Sequence, residues 1–289
     1  MNDSSKNSEL SPAVSYLSKQ LDEAHEFMMK VMSHPVVECG EPLVQLEEVL
    51  SGSEIHVEFS RKPHALGRTR LYLLREGQIS SFLKVTAEMN RRGWVMRVED
   101  GYRDCIMQKF IGLDPSVFDA VLQMVIRELE GEIPTPEHMF KRALTLVAQI
   151  PKTGTHMSGS ALDISVLDQS TGLEIDRGAH YLEISELTPM DSPFISSTAR
   201  KNRQEITRIM RGAGFVEYPY EFWHYSSGDA YEGILCNQST PAIYGAVDYD
   251  SDTGQTKSIP NPELSLNDLD EIKKEIDAAI VRIETVDNQ

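Results

Sequence analysis

Cysteine is scarce in this chain of 289 residues, and its spacing is not that of a disulfide framework. The three cysteines, Cys39, Cys105 and Cys236, are odd in number, lie far apart and include no Cys-x-x-Cys pair. A small fold held together by disulfides is therefore disfavoured. We expect free, buried thiols in a reducing compartment, and the cytoplasm is the predicted location.

Long apolar runs and positive charge are also lacking. No uninterrupted apolar run approaches the length of a membrane span, and the polar residues 1–8 contain no apolar signal core. The 28 basic and 45 acidic side chains give a formal net charge of −17. Such a field repels nucleic acid and anionic membrane, so neither is a predicted partner.

Several common catalytic signatures are missing as well. The pair His25-Glu26 is not followed by a second histidine, so the usual metalloprotease helix is absent. There is no Gly-x-Ser-x-Gly elbow and no glycine-rich phosphate loop. Five further histidines have no companion at ligand spacing and are predicted to be surface or core residues: His34, His56, His64, His138 and His180.

Hydrophobic periodicity and capping residues predict interspersed helices and strands, without the strict alternation of a doubly wound sheet. The fold class is therefore α+β. Residues 36–60 have no clear pattern, and residues 168–196 are predicted as a polar loop. The expected helices cover residues 12–34, 78–92, 114–130, 135–149, 199–211 and 269–283. The expected strands cover residues 70–75, 94–99 and 161–167, and a last pair of strands falls within 215–225.

The two ends of the chain are predicted to be extensions of one domain over residues 61–247. Residues 1–60 would be an N-terminal extension, disordered over 1–11 and then helical. Residues 248–289 would be a linker followed by an amphipathic helix. The apolar stripe of that helix either packs on its own domain or forms a homodimer contact; it comprises Leu269, Ile272, Ile276, Ile280 and Ile283.

Two short segments together contain the residues of a catalytic zinc site. Zinc that does chemistry takes three nitrogen or oxygen ligands from the protein and leaves a position for water. His156 and Asp163 in the first segment and His224 in the second would be those ligands. Each segment is weak by itself, because such pairs are frequent by chance.

Two more residues would supply the remaining chemistry of hydrolysis. Glu221, three residues before His224, is a candidate base for the attacking water. Arg103, on a turn after a predicted strand, is a candidate to stabilise the oxyanion. On a regular strand, Glu221 and His224 would face opposite sides, so this spacing requires a bulge or a sharp twist.

At these motifs the chain resembles the zinc D,D-peptidases typified by the D-alanyl-D-alanine dipeptidases of vancomycin resistance. That family shows Ser-x-His-x-x-Gly-x-Ala-x-Asp, then Glu-x-Trp-His, with an Asp-Gly-Tyr-Arg turn upstream. The likeness covers about residues 65–250. The matching stretches are Gly154-Thr-His156-Met-Ser-Gly159-Ser-Ala161-Leu-Asp163, Glu221-Phe-Trp223-His224 and Asp100-Gly101-Tyr102-Arg103.

The resemblance implies one zinc ion per chain on His156, Asp163 and His224, with Glu221 as base and Arg103 at the scissile carbonyl. It also implies a single α+β domain whose small, mostly antiparallel sheet is flanked by helices. The expected activity is hydrolysis of D-alanyl-D-alanine or a similar short D-amino-acid peptide. The alternatives are a carboxypeptidase or peptidase for longer peptidoglycan stem peptides, and a zinc-binding interaction module without activity.

Three departures from the family pattern concern the choice of substrate. The family serine is Gly154 here, and the proline after the arginine is Asp104. In the dipeptidases an aspartate grips the free ammonium group of the substrate, and Ile195 falls at that position. Asp191 is the nearby carboxylate that could replace it.

Overall fold

The computed structural model describes residues 10–287, which form nine α-helices and nine β-strands. The disorder predicted at the start of the chain falls mainly on residues 1–9, which lie outside the described residues. The helices are α1 (Pro12–Ser33), α2 (Leu46–Val49), α3 (Ile79–Arg91), α4 (Cys105–Ile111), α5 (Pro115–Glu128), α6 (Pro136–Leu146), α7 (Ser197–Arg211), α8 (Ala230–Leu235) and α9 (Leu269–Asp287). The strands are β1 (Leu43–Gln45), β2 (Val57–Phe59), β3 (Leu73–Arg75), β4 (Trp94–Asp100), β5 (Ala161–Asp168), β6 (Val216–Glu217), β7 (His224–Ser226), β8 (Val247–Tyr249) and β9 (Thr256–Ser258).

Three helices begin as their sequence predicts, with a capping side chain followed by proline. Ser11, Asp114 and Thr135 each accept a hydrogen bond from a backbone amide of the first turn, at the starts of α1, α5 and α6. Proline fits the next position because its missing amide has no partner there in any helix. None of the described helices combines the length and apolarity needed to cross a bilayer.

The central sheet has five strands in the order β2-β4-β5-β7-β6. Only the pair β2 and β4 is parallel, and the other neighbours are antiparallel. The predicted α+β fold with a small, mostly antiparallel sheet flanked by helices is therefore confirmed.

One face of this sheet forms the main hydrophobic core. Successive side chains of a strand point to opposite faces, so Leu162, Ile164 and Val166 of β5 share one side. These three side chains are fully buried in a cluster with residues of α3 and α7. Asp163 points to the other side of the sheet, where the functional site lies.

The other helices form a second layer with its own apolar cluster. Residues of α1 and α9 pack there against α5 and α6, and Ile272 and Ile276 are buried in the contact. The apolar stripe of the last helix therefore packs on its own domain, the first of the two predicted arrangements. The homodimer stays a prediction.

Two segments are more ordered than the sequence suggests. Residues 36–60, which have no clear pattern, contribute β1 and β2, and β2 joins the central sheet. Residues 248–263, predicted as a linker, contain most of the antiparallel hairpin of β8 and β9. The division of the chain at residues 60 and 247 stays a prediction.

Candidate metal centre and active site

The three predicted ligands converge in the folded chain. Asp163 of β5 and His224 of β7 are directly opposite each other, so their side chains leave the same face of the sheet. His156 reaches this face from the loop before β5. The atoms His156 Nε2 and His224 Nδ1 lie 3.2 Å and 3.0 Å from Asp163 Oδ1. One ligand atom from each residue lies within 4.8 Å of the others, a spacing that a single ion can bridge.

The loop that carries His156 is held by backbone contacts on both sides. The Arg103 amide donates to the His156 carbonyl oxygen over 3.2 Å, and the Arg75 amide donates to the Gly159 carbonyl oxygen over 3.0 Å. Gly159 has a positive φ of +69°, and a Cβ there would overlap Leu43 Cδ2. A side chain at Gly159 would therefore strain the backbone and displace Leu43.

The hydrogen bonds of the two imidazoles fit a cation between them. His156 Nδ1 lies 2.6 Å from the Gly101 carbonyl oxygen, which can only accept, so Nδ1 carries the proton and Nε2 presents a lone pair to Asp163. His224 is held through Nε2, 2.8 Å from Thr155 Oγ1, which leaves Nδ1 facing Asp163. A lone pair beside a carboxylate oxygen is repulsive unless a cation lies between them. Two nitrogens and one carboxylate are also a donor set of catalytic zinc.

The charge states of the ligands agree with this arrangement. Burial lowers the pKa of His156, and the neighbouring Arg103 lowers it further, so the imidazole is neutral. Asp163 accepts hydrogen bonds from the Arg103 guanidinium group and the Tyr181 hydroxyl, which favour its ionised form. A neutral imidazole and an ionised carboxylate are the forms that bind metal.

A bulge in β4 turns Asp100 towards the site. Val98 pairs with Ile164 and Asp100 pairs with Asp163, so Glu99 is an extra residue with no partner in β5. Val98 faces the core. With a regular period of two, Asp100 would face the core too, and the extra residue moves it to the opposite face.

Asp100 and Asp163 position the guanidinium group of Arg103. Arg103 Nε donates to Asp100 Oδ2 over 2.9 Å, and Nη2 donates to Asp163 Oδ2 over 3.2 Å. Tyr181 donates its hydroxyl to the same Asp163 oxygen over 2.9 Å. Burial alone would lower the pKa of Arg103, but the two aspartates raise it, so the group stays charged beside the ligands.

Glu221 reaches the site from a turn rather than from a strand. It lies between β6 and β7; its amide donates to the Tyr218 carbonyl oxygen, and its carbonyl accepts from the His224 amide. The strand begins only at His224, so the alternation of strand residues does not apply to Glu221. The expectation of a bulge or a sharp twist assumed that Glu221 lies on a strand, and the chain instead turns at this point. Glu221 lines the same cavity as the three ligands.

The surroundings of Glu221 favour its protonated form. Burial raises its pKa well above the usual value, and the negative charge of Asp163 raises it further. A general base works best when its pKa lies near the working pH, which is above the value of a free glutamate. A cation bound at Asp163 would shift this pKa back down.

A cavity of about 470 Å³ opens beside these residues. The polar site forms one side of it, and apolar side chains of three helices line another part. A volume of this size is typical of pockets for small-molecule ligands. The apolar side chains from α4, α5 and α6 are Ile111, Val117, Ala120, Leu144 and Leu146.

The departures from the family pattern have distinct structural settings. Asp104 caps α4, where its Oδ1 accepts from the Met107 amide over 2.6 Å. Gly154 lies on the cavity wall, and a Cβ there would be 3.3 Å from Met157 and 3.4 Å from Ala148.

Ile195 and Asp191 lie away from the site. Ile195 is buried, and its side chain would meet any Cβ added at Gly178. Asp191 is exposed. Neither of these two residues is on the cavity wall, so nothing in their placement supports Asp191 as a substitute for the aspartate that grips the ammonium group.

The sequence missed several residues of the site. His64 was predicted to be a surface or core residue, but its Nε2 lies 2.8 Å from Asp100 Oδ2 on the cavity wall. Tyr181 falls in the predicted polar loop, where no pattern marks it. Thr155 has one signal, its position directly before His156.

Comparison with known proteins supports the family resemblance that the sequence motifs indicate. A family model described as D-ala-D-ala dipeptidase, of the M15 peptidases, matches residues 40–243. A D-alanyl-D-alanine dipeptidase of Synechocystis sp. is 29% identical over 250 residues, which cover 74% of this chain and 95% of that protein. A D-alanyl-D-alanine dipeptidase of Escherichia coli is 28% identical over 115 residues, or 39% of this chain and 55% of that protein.

A solved structure is also similar, at a low level. The VanY D,D-pentapeptidase of a VanB-type resistance cassette, in complex with Zn(II), is 17% identical with a TM-score of 0.34. The match covers 61% of this chain and 80% of that one. A TM-score this low supports no conclusion about activity. The family model, in contrast, matches more than half of the chain, and the chain therefore belongs to the M15 family of D-Ala-D-Ala dipeptidases, which are zinc metallopeptidases.

Proposed function

We propose that this protein is a zinc-dependent D-alanyl-D-alanine dipeptidase with one zinc ion held by His156, Asp163 and His224. The observation that carries the proposal is the convergence of these three donor atoms on one face of the sheet, within 4.8 Å of one another. Glu221 and Arg103 line the same cavity and would act on the substrate. Membership of the dipeptidase family gives the peptide bond of D-alanyl-D-alanine as the expected target.

Glu221 and Arg103 would have different tasks in hydrolysis. Zinc, when bound, lowers the pKa of its water to about 7 and polarises the scissile carbonyl. Glu221 accepts a proton from the attacking water and gives it to the nitrogen of the leaving amino acid as the peptide bond breaks. After one turnover the Glu221 carboxylate has neither gained nor lost a proton. Arg103, charged and held by two aspartates, stabilises the negative charge that develops on the carbonyl oxygen.

A second candidate function is cleavage of longer peptidoglycan stem peptides that end in D-alanine, which would give the protein a role in the cell wall. The placement of Ile195 and Asp191 favours it, because neither side chain is on the cavity wall where it could hold the free ammonium group of a dipeptide. An enzyme without this contact would tolerate an amino end that continues into a longer chain.

The test is hydrolysis by the zinc-loaded, full-length protein. Free D-alanyl-D-alanine, a pentapeptide ending in D-alanyl-D-alanine, and the L,L-dipeptide would be compared by kcat/KM. Preference for the free dipeptide supports the dipeptidase. Preference for the pentapeptide supports the second candidate. If the zinc-loaded protein hydrolyses none of the three peptides, the remaining alternative is a zinc-binding interaction module without activity.

We further propose a cytoplasmic location. The cysteines Cys39, Cys105 and Cys236 are free, which fits a reducing compartment. The expectation that they are buried was wrong, because Cys39 and Cys236 are exposed and Cys105 is half-buried. Fractionation of the native host, with an antibody to the protein, would test the location.

A further inference from the structure

Three nitrogen atoms surround one oxygen of the buried Asp100. His64 Nε2 lies 2.8 Å from Oδ2, and both Arg70 Nη1 and Arg103 Nε lie 2.9 Å from it. A carboxylate oxygen has two lone pairs, so three donors exceed what it can accept. Two guanidinium groups therefore share one oxygen.

Arg70 has fewer partners than Arg103. Arg103 has a second carboxylate in Asp163, whereas Arg70 has only the Lys62 carbonyl oxygen, to which its Nε donates over 2.9 Å. In the part of the chain that the structure describes, Nη2 of Arg70 has no hydrogen-bond partner. The Arg70 side chain is only 9% exposed. A buried guanidinium with a spare N–H group is suited to an acceptor brought by a ligand.

Arg70 stands between two cavities. It lines the catalytic cavity and also an adjoining one of about 220 Å³, and His64 and Arg103 do the same. In the second cavity Arg68 pairs with Asp104 over 3.4 Å, so its charge is already compensated. On a chain with a net charge of −17, the neighbouring guanidinium groups of Arg70 and Arg103 are a local feature that favours an anion.

The spacing of the two arginines matches one end of a peptide. Arg70 and Arg103 contact the same Asp100 oxygen, so their guanidinium groups are neighbours. In a peptide cleaved next to its last residue, the scissile carbonyl and the terminal carboxylate are separated by that one residue, about 3.8 Å between α-carbons. With Arg103 at the carbonyl, a carboxylate one residue further on would come to Arg70.

We infer that Arg70 binds the terminal carboxylate of the substrate and restricts the enzyme to peptides with a free carboxyl end. This inference rests on the proposed function, because it assigns one end of the substrate of the same site. The enzyme would then recognise its substrate by the carboxyl end of the peptide. Amidation of that end would therefore cost more activity than acylation of the amino end.

The test compares D-alanyl-D-alanine with its C-terminal amide, using the zinc-loaded, full-length protein and Arg70→Gln. We expect the wild type to prefer the free acid. In Arg70→Gln, kcat/KM for the acid should fall by about 10–100-fold, mainly through KM, because a hydrogen bond to a charged group is lost. The value for the amide should change less than about threefold. Arg70→Lys, which keeps the charge without the two-pronged geometry, should show an intermediate loss.

Arg68→Gln is the matched control for charge. Arg68 is 42% exposed and pairs with Asp104, so this variant removes one positive charge from the same region without touching Arg70. It should keep the preference for the acid. An unchanged preference in Arg70→Gln, or an equal loss in Arg68→Gln, would overturn the inference. Circular dichroism checks the fold of each variant. If Arg70→Gln does not fold, the acid-to-amide preference of Arg70→Lys tests the inference in its place.

A binding measurement separates this inference from the proposed function. Calorimetric titration of zinc-loaded Glu221→Gln with the acid and the amide, with and without Arg70→Gln, measures recognition without turnover. Weaker binding of the acid alone in the double variant supports the carboxylate site even if no peptide is hydrolysed. Equal binding of acid and amide by Glu221→Gln contradicts it, whatever the activity.

Discussion

Asp163 joins the metal ligands to the cationic side of the cavity. Its Oδ1 faces His156 and His224, while its Oδ2 accepts from Arg103 and Tyr181. Both oxygens of this carboxylate therefore have fixed neighbours, which restricts the rotation of the side chain. A site with this geometry is preorganised for chemistry before the substrate binds.

Glu221→Gln should abolish hydrolysis while zinc remains bound. The amide cannot accept a proton, so we expect kcat to fall by at least about 10²–10⁴-fold, the usual contribution of a general base. Metal analysis should find the same zinc content as in the wild type, since Glu221 is not a ligand. Retained activity in this variant would exclude Glu221 as the base.

The same substitution should stabilise the metal-free protein at neutral pH. Burial raises the pKa of Glu221, so the folded protein holds a proton that the unfolded chain loses above about pH 4.3. Stability is therefore lost as the pH rises from there through the raised pKa, and glutamine avoids this loss. Thermal melts of both proteins should coincide near pH 4 and separate at pH 8, with the variant melting higher. A lower melting temperature at pH 8 would contradict the burial of an unpaired carboxylate.

Asp100→Asn should destabilise the protein, because it leaves Arg70 and Arg103 without their shared carboxylate. Breaking a buried ion pair costs about 3–5 kcal/mol in the free energy of unfolding, measured by urea denaturation. Arg103 and His64 hold the pKa of Asp100 far below its usual range, although burial opposes them. Its contribution is thus complete above about pH 3.9 and is lost as the pH falls further. The difference from wild type should shrink in that range.

Asp104→Asn provides the control for this measurement. Asp104 is partly exposed, its pair with Arg68 is 3.4 Å long, and asparagine can also cap α4. We expect less than about 1 kcal/mol of destabilisation. A loss as large as that of Asp100→Asn would mean that the position of the charge in the fold does not matter.

The ligand residues could be predicted from the sequence, whereas their neighbours could not. His156, Asp163, His224, Glu221 and Arg103 are found through the order and spacing of short motifs. His64, Arg70 and Tyr181 meet them only through the tertiary fold, and no local pattern marks them.

At the scale of elements, a short irregularity decides which side chains reach the site. The bulge at Glu99 moves Asp100 out of the core face of β4, and the turn before β7 brings Glu221 beside His224. Strand periodicity does not predict the bulge at Glu99, and for Glu221 and His224 it shows only that a regular strand cannot connect them. The starts of three helices could be predicted from the sequence, because the capping residue and the following proline are adjacent in the chain.

The last helix should contribute to stability rather than to catalysis. Ile276 of α9 is 3% exposed against α5 and α6, whereas Val281 is 64% exposed. Ile276→Ala should lower the free energy of unfolding by about 2–5 kcal/mol, through lost burial and the cavity left behind. Val281→Ala should change it by less than about 0.5 kcal/mol. Equal effects in urea denaturation would show that α9 does not pack as described.

At the scale of the whole molecule, the chain places a catalytic layer between two packed clusters. The central sheet with α3 and α7 supports the ligands from one side, and residues of α1, α5 and α6 line the cavity on the other, with α9 packed behind α5 and α6. The sequence predicts this α+β class from interspersed helices and strands. It does not predict that the strands of residues 36–60 join the sheets, because those strands are only three residues long.

Light scattering distinguishes a single chain from the homodimer that the sequence predicts. The apolar stripe of α9 that suggested a homodimer is largely covered by α5 and α6, which leaves no comparable stripe on that helix for a partner. A mass of two chains would show that another surface forms the predicted dimer.

The convergence of His156, Asp163 and His224 on one zinc ion is tested most directly by anomalous diffraction at the zinc edge. Crystals of the zinc-loaded protein should show one peak per chain, about 2.0–2.2 Å from His156 Nε2, His224 Nδ1 and an oxygen of Asp163. A peak coordinated by other residues, or none among these three at full zinc occupancy, would contradict the metal site and the hydrolysis built on it.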